Sequence, residues 1–467
     1  MSDAAQNPKV LLERIESLLQ TASYDQLSIE LANARPSDIA EVIEVIDEIS
    51  RQLIFSSLDA KDAGEVLDKV DDATRGEVIE DLTNEKITDI VATMPPDEAA
   101  DVVAELDDLQ TEEVLEHIAD EESDQIEALL KYGEDTAGGI MTSDLVQVKM
   151  SEKISGAITQ IRNADPDDAY FHVFVVDDGG KLKGTVGLIT LIRNNPDTMV
   201  SDVLEEDIPA VDVSADQEEI ANTFRKYDLM VMPVVDKAGC LLGRITIDDV
   251  VDVMEEEAEE DVLLMAGTHP NELDTHKAYE VAKVRLPWLM TCLIGSMVSS
   301  LILLYFRDSF SSIAEFTTVM VFIPAIAAMG GNSGLQTATI VVRGLATGDL
   351  AGMEIGQIYI RESRVALIVA LICGLVSGCL VSIILSMHTN GHSENLHVGL
   401  MGLSVASSMF IAIMLSTSLG ILLPFMFKRI GVDPAISSGP LVTTANDIVS
   451  NLTYILLTLC LFRQFLS

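Results

Sequence analysis

Asp447 stands inside an otherwise apolar stretch, Gly439 to Phe462. An ionised carboxylate in hydrocarbon is costly unless it faces a cavity, a partner or a cation. Its neighbours Thr443, Thr444, Asn446 and Asn451 add oxygen and amide groups on the same stretch. Far upstream, Asp249, Asp252, Glu257, Glu260 and Asp261 form an acidic run leading almost directly into the first apolar segment. Carboxylates within a membrane span and a carboxylate cluster at its edge both suit a hard cation, which takes oxygen ligands. The alternative for Asp447 is a protonated, hydrogen-bonded carboxyl with a structural role, and residue types alone leave it open.

A second polar site precedes it in the chain. Pro324 is followed by Gly330-Gly331-Asn332-Ser333-Gly334-Leu335-Gln336-Thr337 within an apolar run. Paired glycines and a run of amides suit a helix interrupted beside a cavity, with carbonyls and side-chain oxygens lining a path. Close helix packing through small residues is the competing explanation. By rise per residue Asp447 lies roughly 12 Å inside the near end of its span. One carboxylate does not strip Mg²⁺ of its tightly held water, whereas a pair from two subunits can hold the hydrated ion. That argues for a pathway on a two-fold axis.

These residues must be carried by membrane helices, and five apolar runs qualify: Leu286–Phe306, Phe316–Val342, Val365–Met387, His397–Phe427 and Gly439–Phe462. Each is long enough to cross a hydrocarbon core of about 30 Å. Lys277, Lys283 and Arg285 precede the first span, Arg343, Arg361 and Arg364 fall between the second and third, and Lys428 and Arg429 between the fourth and fifth. The positive-inside rule then puts the N-terminal domains in the cytoplasm and Ser467 outside. The expected location is the cell (plasma) membrane, with membrane lipid as a partner.

Charge separates the soluble part from the rest. The chain has 467 residues and a formal net charge of −46. Residues 285–467 carry eight basic and eight acidic groups, so the whole excess lies in the first 284. Such a surface repels nucleic acid and attracts cations. Solubility or adaptation to salt would produce the same composition. Four of the five cysteines, Cys292, Cys373, Cys379 and Cys460, lie in apolar segments, and no C-x-x-C pattern marks a zinc or redox site. The stretch MSDAAQNPKVLLERIES has no apolar core and does not read as a signal peptide.

Two repeats organise the soluble part. Ser37-Asp-Ile-Ala-Glu-Val, Lys61-Asp-Ala-Gly-Glu-Val and Glu85-Lys-Ile-Thr-Asp-Ile start 24 residues apart. Each unit fits two short capped helices, and stacked pairs make an α-helical superhelical domain over about residues 8–132. Further on, Phe174-Val-Val-Asp-Asp-Gly-Gly-Lys-Leu-Lys-Gly matches Pro233-Val-Val-Asp-Lys-Ala-Gly-Cys-Leu-Leu-Gly as strand, turn and strand. With helical segments near Ile154–Asn163 and Gln217–Lys226, this resembles a tandem pair of α/β cystathionine-β-synthase (CBS) modules over residues 138–253. Residues 254–276 read as a connecting (plug) helix with breaks at Gly267 and Pro270, and residues 285–467 as an all-α membrane domain.

Acidic helical repeats, a CBS pair, a connecting helix and five spans together resemble the MgtE family of magnesium channels. The family's Gly-Gly-Asn signature stands as Gly330-Gly331-Asn332, its last-span pattern as Pro440-Leu-Val-Thr-Thr-Ala-Asn-Asp447, and its loop as Gly431-Val-Asp-Pro-Ala. One departure is Leu335, where many members carry a polar residue. The resemblance implies a homodimer whose second and fifth spans line a Mg²⁺ pore, with Asp447 binding the permeating ion and Asp433 at the cytoplasmic mouth. It implies regulatory Mg²⁺ held by Asp97 and Asp101 of the helical domain, Asp216, Glu218, Asp228, Asp249 and Asp252 of the second CBS module, and Glu257, Glu260 and Asp261 of the connecting helix. ATP is a further candidate ligand of the CBS pair, with no residue assigned.

Other readings remain: an exporter or carrier of another divalent cation such as Co²⁺ or Mn²⁺, and a membrane-anchored nucleotide sensor. The lack of His and Cys around Asp447 and Asn332 argues against soft-metal selectivity. His388, His392 and His397 cluster in an outer loop and read as ordinary loop residues, with a transition-metal site as the lesser alternative. An anchored sensor leaves Asp447 unexplained. No Walker loop, nucleophile elbow or zinc-protease motif points to an enzyme.

Overall fold

The computed structural model describes residues 8–164, 172–272, 278–310, 313–350, 353–388, 395–437 and 439–466. It divides into two compact units, residues 1–255 and 256–467.

The first unit opens with α1 (Pro8–Gln20) and α2 (Tyr24–Leu31), followed by four helix pairs: α3 (Pro36–Ile43) and α4 (Glu48–Ser57), α5 (Ala60–Lys69) and α6 (Asp72–Asp81), α7 (Asn84–Val91) and α8 (Pro96–Ala104), α9 (Asp108–His117) and α10 (Asp120–Leu129). From Ser23 through Arg35, Asp47, Asp59, Asp71, Thr83, Pro95, Asp107 and Ala119, the N-cap positions fall at a uniform spacing of 12 residues. The 24-residue repeat is therefore two turns of a finer one-helix repeat. Asp47, Asp59, Asp71 and Asp107 each accept a backbone N–H of the first turn, satisfying donors a helix leaves open. Odd-numbered helices stack on odd ones and even-numbered on even ones, as α3 on α5 on α7 and α2 on α4 on α6. The core between the layers is Leu27, Leu31, Ile39, Ile43, Ile54, Phe55, Leu67 and Ile87, all fully buried.

Two three-stranded sheets follow. β1 (Gln147–Lys149) runs parallel to β2 (His172–Val176), which pairs antiparallel with β3 (Leu182–Gly187). β4 (Val211–Asp212), β5 (Val231–Val235) and β6 (Leu241–Thr246) repeat this order. Even the register shift recurs, between Val175 and Val176 in one sheet and between Val234 and Val235 in the other. Asp177 and Asp236 fold equivalent turns by accepting two backbone N–H groups each, with Gly180 and Gly239 at φ +79° and +83°. The two turns then pair with each other, Leu182 N donating to Gly239 O and Leu241 N to Gly180 O. Helices α11 (Ile154–Asn163), α12 (Leu188–Arg193) and α13 (Gln217–Tyr227) complete the modules.

One difference from the sequence reading concerns the connecting helix. It is the C-terminal half of a single helix, α14 (Ile247–Ala266), that starts directly after β6. Val253 and Met254 are mid-helix, and no break separates module from connector. The end is where glycine requires it: Gly267 has φ +82°, and its N–H returns to Leu264 O. Pro270–Glu272 then forms a short 3₁₀ turn.

The second unit contains α15 (Ala278–Phe306), α16 (Ile313–Ala346), α17 (Ile355–His388), α18 (Asn395–Arg429) and α19 (Pro440–Leu466). All five are long and apolar enough to cross a membrane. The helices overrun the apolar runs, because hydrogen bonding continues where hydrophobicity stops. Leu293, Ile294, Leu301, Leu304, Ile368, Ile372 and Leu375 of α15 and α17 are exposed, as lipid-facing positions are. Small residues bring α17 and α18 close: a Cβ on Gly378 would meet the Ala406 side chain at 2.7 Å. Of the three outer-loop histidines, His392 lies outside the described residues.

Candidate ion pathway and carboxylate clusters

The polar residues of α16 and α19 meet along one seam. A Cβ on Gly330 would lie 2.5 Å from Asn446 Oδ1 and 3.0 Å from Ser450 Oγ, and one on Gly331 would lie 3.4 Å from Thr443 Cγ2. Glycine is needed here because the α19 side chains occupy that space. Asn446 Nδ2 donates to Ala327 O at 3.0 Å, and Ser450 Oγ donates to Asn446 Oδ1 at 2.9 Å. From the other side Ser416 Oγ of α18 donates to Gly330 O at 2.6 Å. These bonds give carbonyls next to the glycine pair second partners without opening the helix. The expected interruption is accordingly absent: α16 is continuous from Ile313 to Ala346. The glycines serve close packing, and the amides on the other face carry the polarity.

Asn332 and Gln336 are exposed on α16 and take no hydrogen bond among the described residues. Asp447 follows Asn446 on α19, half-buried, and makes no hydrogen bond or ion pair among the described residues. Among the described residues no basic group neutralises it. The residues that hold the seam together (Asn446, Ser450, Ser416) are thus distinct from those left open beside it (Asp447, Asn332).

A second site lies at the edge of the membrane domain next to α14. Asp433 Oδ1 accepts the Ala435 N–H at 2.7 Å, shaping the turn between α18 and α19. Asp261 of α14 faces it; burial first, then the charges of Asp433 and Glu260, push the Asp261 carboxyl up to about 6. Glu257 and Glu260 lie half-buried on the same helix. Just beyond, Leu264 packs with Val342 of α16 and Ala435. A Cβ on Gly439 would run into the Met265 carbonyl oxygen, and one on Gly267 would meet Pro440 Cγ at 2.7 Å. The end of α14 thus seats on the start of α19.

The third site is in the first unit. Asp97 projects from α8 toward the start of α14, and Asp101, one turn on, neighbours Arg75, Asp97 and Asp68. Burial, reinforced by the Asp249 charge, pushes Asp97 up to about 7, and Oδ1 of Asp97 is buried with no hydrogen-bond partner. Burial and then the charges of Asp68 and Asp97 push Glu98 up to about 8. Asp101 also rises to about 7, through desolvation by its surroundings, although water reaches its side chain and screens it, so Asp97 is the better gauge of the cluster. Burial raises Asp249 and Asp252 as well; Asp249 Oδ2 is held by the Thr246 hydroxyl at 2.6 Å. Lys69, ion-paired to Asp68 at 2.7 Å, and Arg75, whose charge lowers the Asp101 carboxyl but which is itself paired to Glu105, are too little positive charge to balance the group. Sequence reasoning missed Asp68, Glu98 and Lys69. The signal for Glu98 was its place beside Asp97, but only the stacking of helix layers brings α5 to α8.

Asp216, Glu218 and Asp228 are placed elsewhere. Asp216 caps α13 by accepting the Glu218 N–H at 2.9 Å, and Asp228 closes the same helix in left-handed geometry at φ +53°. None of the three is among the charges that most perturb Asp97, Asp249 or Asp252. Among the described residues no three His, Cys, Asp or Glu side chains converge to ligate one ion directly. The clusters instead fit a cation that keeps much of its water, as Mg²⁺ does, and the orphaned Asp97 oxygen is a ligand position without an occupant from the protein.

Comparison with known proteins matches this layout part by part. Residues 323–457 match the model for the divalent cation transporter family MgtE, residues 34–135 the MgtE intracellular N domain, and residues 137–196 and 200–256 the CBS domain. The chain is 35% identical over 337 residues to the magnesium transporter MgtE of Thermus thermophilus, covering 71% of each chain. The chain belongs to the MgtE family. It is also 34% identical over 346 residues to the magnesium transporter MgtE of Enterococcus faecalis, covering 74% of this chain and 73% of that one. Among solved structures, the cytosolic domain of the Mg²⁺ channel MgtE in complex with ATP aligns with TM-score 0.50 at 29% identity, covering 52% of this chain and 99% of that one. MgtE proteins are divalent cation transporters, which is not an enzyme class, and the transporter match spans both Gly330-Gly331-Asn332 and Asp447.

Proposed function

We propose that this MgtE-family chain is one subunit of a homodimeric, Mg²⁺-selective channel for magnesium uptake, held closed by cytosolic Mg²⁺. The observation that carries the reading is Asp447: a carboxylate in a membrane helix, beside the polar α16–α19 seam, with no basic neighbour and no hydrogen bond among the described residues. In hydrocarbon such a group needs a counter-charge, and a permeating cation supplies it. One carboxylate per chain is a weak site for a dehydrated ion. Two, related by a two-fold axis, form a ring of oxygens for a hydrated one, with Asn332 adjoining and Asp433 at the entry. The first unit is cytoplasmic and the C-terminus outside, supported by the distribution of Lys and Arg.

The sensor follows from electrostatics. Asp97, Asp101, Asp249 and Asp252 repel one another when no ion is present, as do Glu257, Glu260, Asp261 and Asp433 at the membrane edge. Mg²⁺ between them stabilises the compact arrangement, in which the end of α14 sits against the start of α19. Binding the closed form better is enough to shift the population. Asp216 and Glu218 stand at the start of α13 and Asp228 at its far end, so any cation at the second CBS module is held by these two places separately. ATP binding at the CBS pair is supported by the ATP complex of the aligned cytosolic domain. Growth of a magnesium-transport-deficient bacterium tests the reading: the wild-type chain restores growth in low Mg²⁺, and Asp447→Ala does not. Equal rescue by both would overturn the pathway assignment.

A further inference from the structure

The membrane domain carries a groove that ion transport does not use. It lies between α17 and α18, has a volume of about 310 Å³, and is lined by Tyr359, Ile360, Ser363, Arg364, Leu367 and Met414. Apolar side chains form its floor. Ser418 Oγ donates to Met414 O at 2.9 Å, so the Tyr359 hydroxyl donates to Ser418, also at 2.9 Å, and the ring is pinned as one wall. Midway along it, between Ile360 and Leu367, stands Arg364, exposed, with no hydrogen bond or ion pair among the described residues, next to the equally unbonded Ser363 hydroxyl.

The position along the helix is informative. α17 spans 34 residues, about 50 Å at 1.5 Å per residue, well beyond the apolar core. The surplus turns lie before Val365, where the uninterrupted apolar run begins, so Arg364 sits at the boundary between headgroups and acyl chains. Below it, Ile368, Leu371, Ile372 and Leu375 face outward. Glu362 is the sole acid within α17, and Arg361 takes it at 3.0 Å. No carboxylate on this helix therefore competes for Arg364. The heavily acidic part of the chain ends before residue 285, and the same membrane edge carries Arg343, Lys428 and Arg429.

We propose that this groove binds one anionic phospholipid of the cytoplasmic leaflet, its phosphate on the Arg364 guanidinium and Ser363 hydroxyl, its headgroup over Tyr359 and Ile360, and an acyl chain along Leu367 and Met414. A planar guanidinium pairs with phosphate oxygens through two parallel N–H donors, and the apolar floor takes up the chain. Charge and apolar surface combine where only a membrane lipid presents both.

The test is thermal unfolding of the purified full-length protein in neutral detergent, with phosphatidylglycerol, phosphatidylcholine or inorganic phosphate added. Phosphatidylglycerol is expected to raise the melting temperature, with the other two giving much smaller shifts. Arg364→Gln should weaken the phosphatidylglycerol response about tenfold in lipid concentration. Lys428→Gln, at the same edge, should leave it intact. Ile360→Trp, which fills the headgroup end of the groove without altering charge, should weaken it as well. Equal effects of the two lipids, an unchanged response in Arg364→Gln or Ile360→Trp, or equal losses in Arg364→Gln and Lys428→Gln would each overturn the site. No readout uses ion flux, so the result is independent of the transport reading.

Discussion

Replacing Asp97 by Asn removes a charge and keeps the shape, and the cluster around it sets the size of the effect. A carboxyl that titrates at about 7 rather than near 4 carries a penalty of about 4 kcal/mol on its ionised form. Part of the side chain meets water, so about 2 kcal/mol is expected to survive screening. Because the folded value is raised, the penalty is absent below about pH 4, grows as pH rises, and is complete above about pH 7. The metal-free compact unit should therefore be less stable at pH 8 than at pH 6. Asp97→Asn should raise its stability at pH 8 by about 2 kcal/mol and flatten the pH dependence between those points. It should also weaken the protection that Mg²⁺ gives, since one of the charges the ion neutralises is gone. Limited trypsin digestion of the full-length protein at both pH values, with and without millimolar Mg²⁺, reads all three. If the variant is digested faster than wild type at pH 8, or keeps full Mg²⁺ protection, Asp97 is a structural partner and the electrostatic argument is wrong.

Gly330→Ala puts a Cβ against Asn446 Oδ1 and Ser450 Oγ in a packed seam; the expected cost is about 1–3 kcal/mol, measured as a lower melting temperature. Asn446→Ala leaves Ala327 O without its extra donor and Ser450 without an acceptor; a further loss of about 1–3 kcal/mol is expected by the same measurement. Gly439→Ala drives a methyl into the Met265 carbonyl and should lift the end of α14 from the start of α19; flux should then persist at internal Mg²⁺ that silences the wild type. Unaltered inhibition would show that this contact is not part of the gate.

The parts legible in the sequence are those written as periodicity. Helix pairs recur through Asp47, Asp71 and Asp107 because a cap needs a short acceptor, and the CBS hairpins recur through Asp177 and Asp236 because each turn needs a carboxylate that folds back. Five apolar runs gave five helices. The 12-residue period was hidden because Arg35, Pro95 and Ala119 cap without a side-chain acceptor. Continuity of α16 past Gly330 could not be read locally, since Ser416 and Asn446, which support that stretch, are distant in the chain. Likewise the boundary drawn at Val253 followed a change in composition, whereas the backbone of α14 runs on regardless. Asp97 and Asp101 were found by resemblance; their partners Asp68 and Glu98 became visible only when the helix layers were stacked.

The most direct measurement is Mg²⁺ entry into liposomes containing the purified protein, driven by an inside-negative potential, for wild type and Asp447→Ala. Rapid entry through the wild type and entry near that of empty liposomes through the variant is the predicted result. Undiminished Mg²⁺ entry through Asp447→Ala would contradict the claim that this carboxylate meets the passing ion.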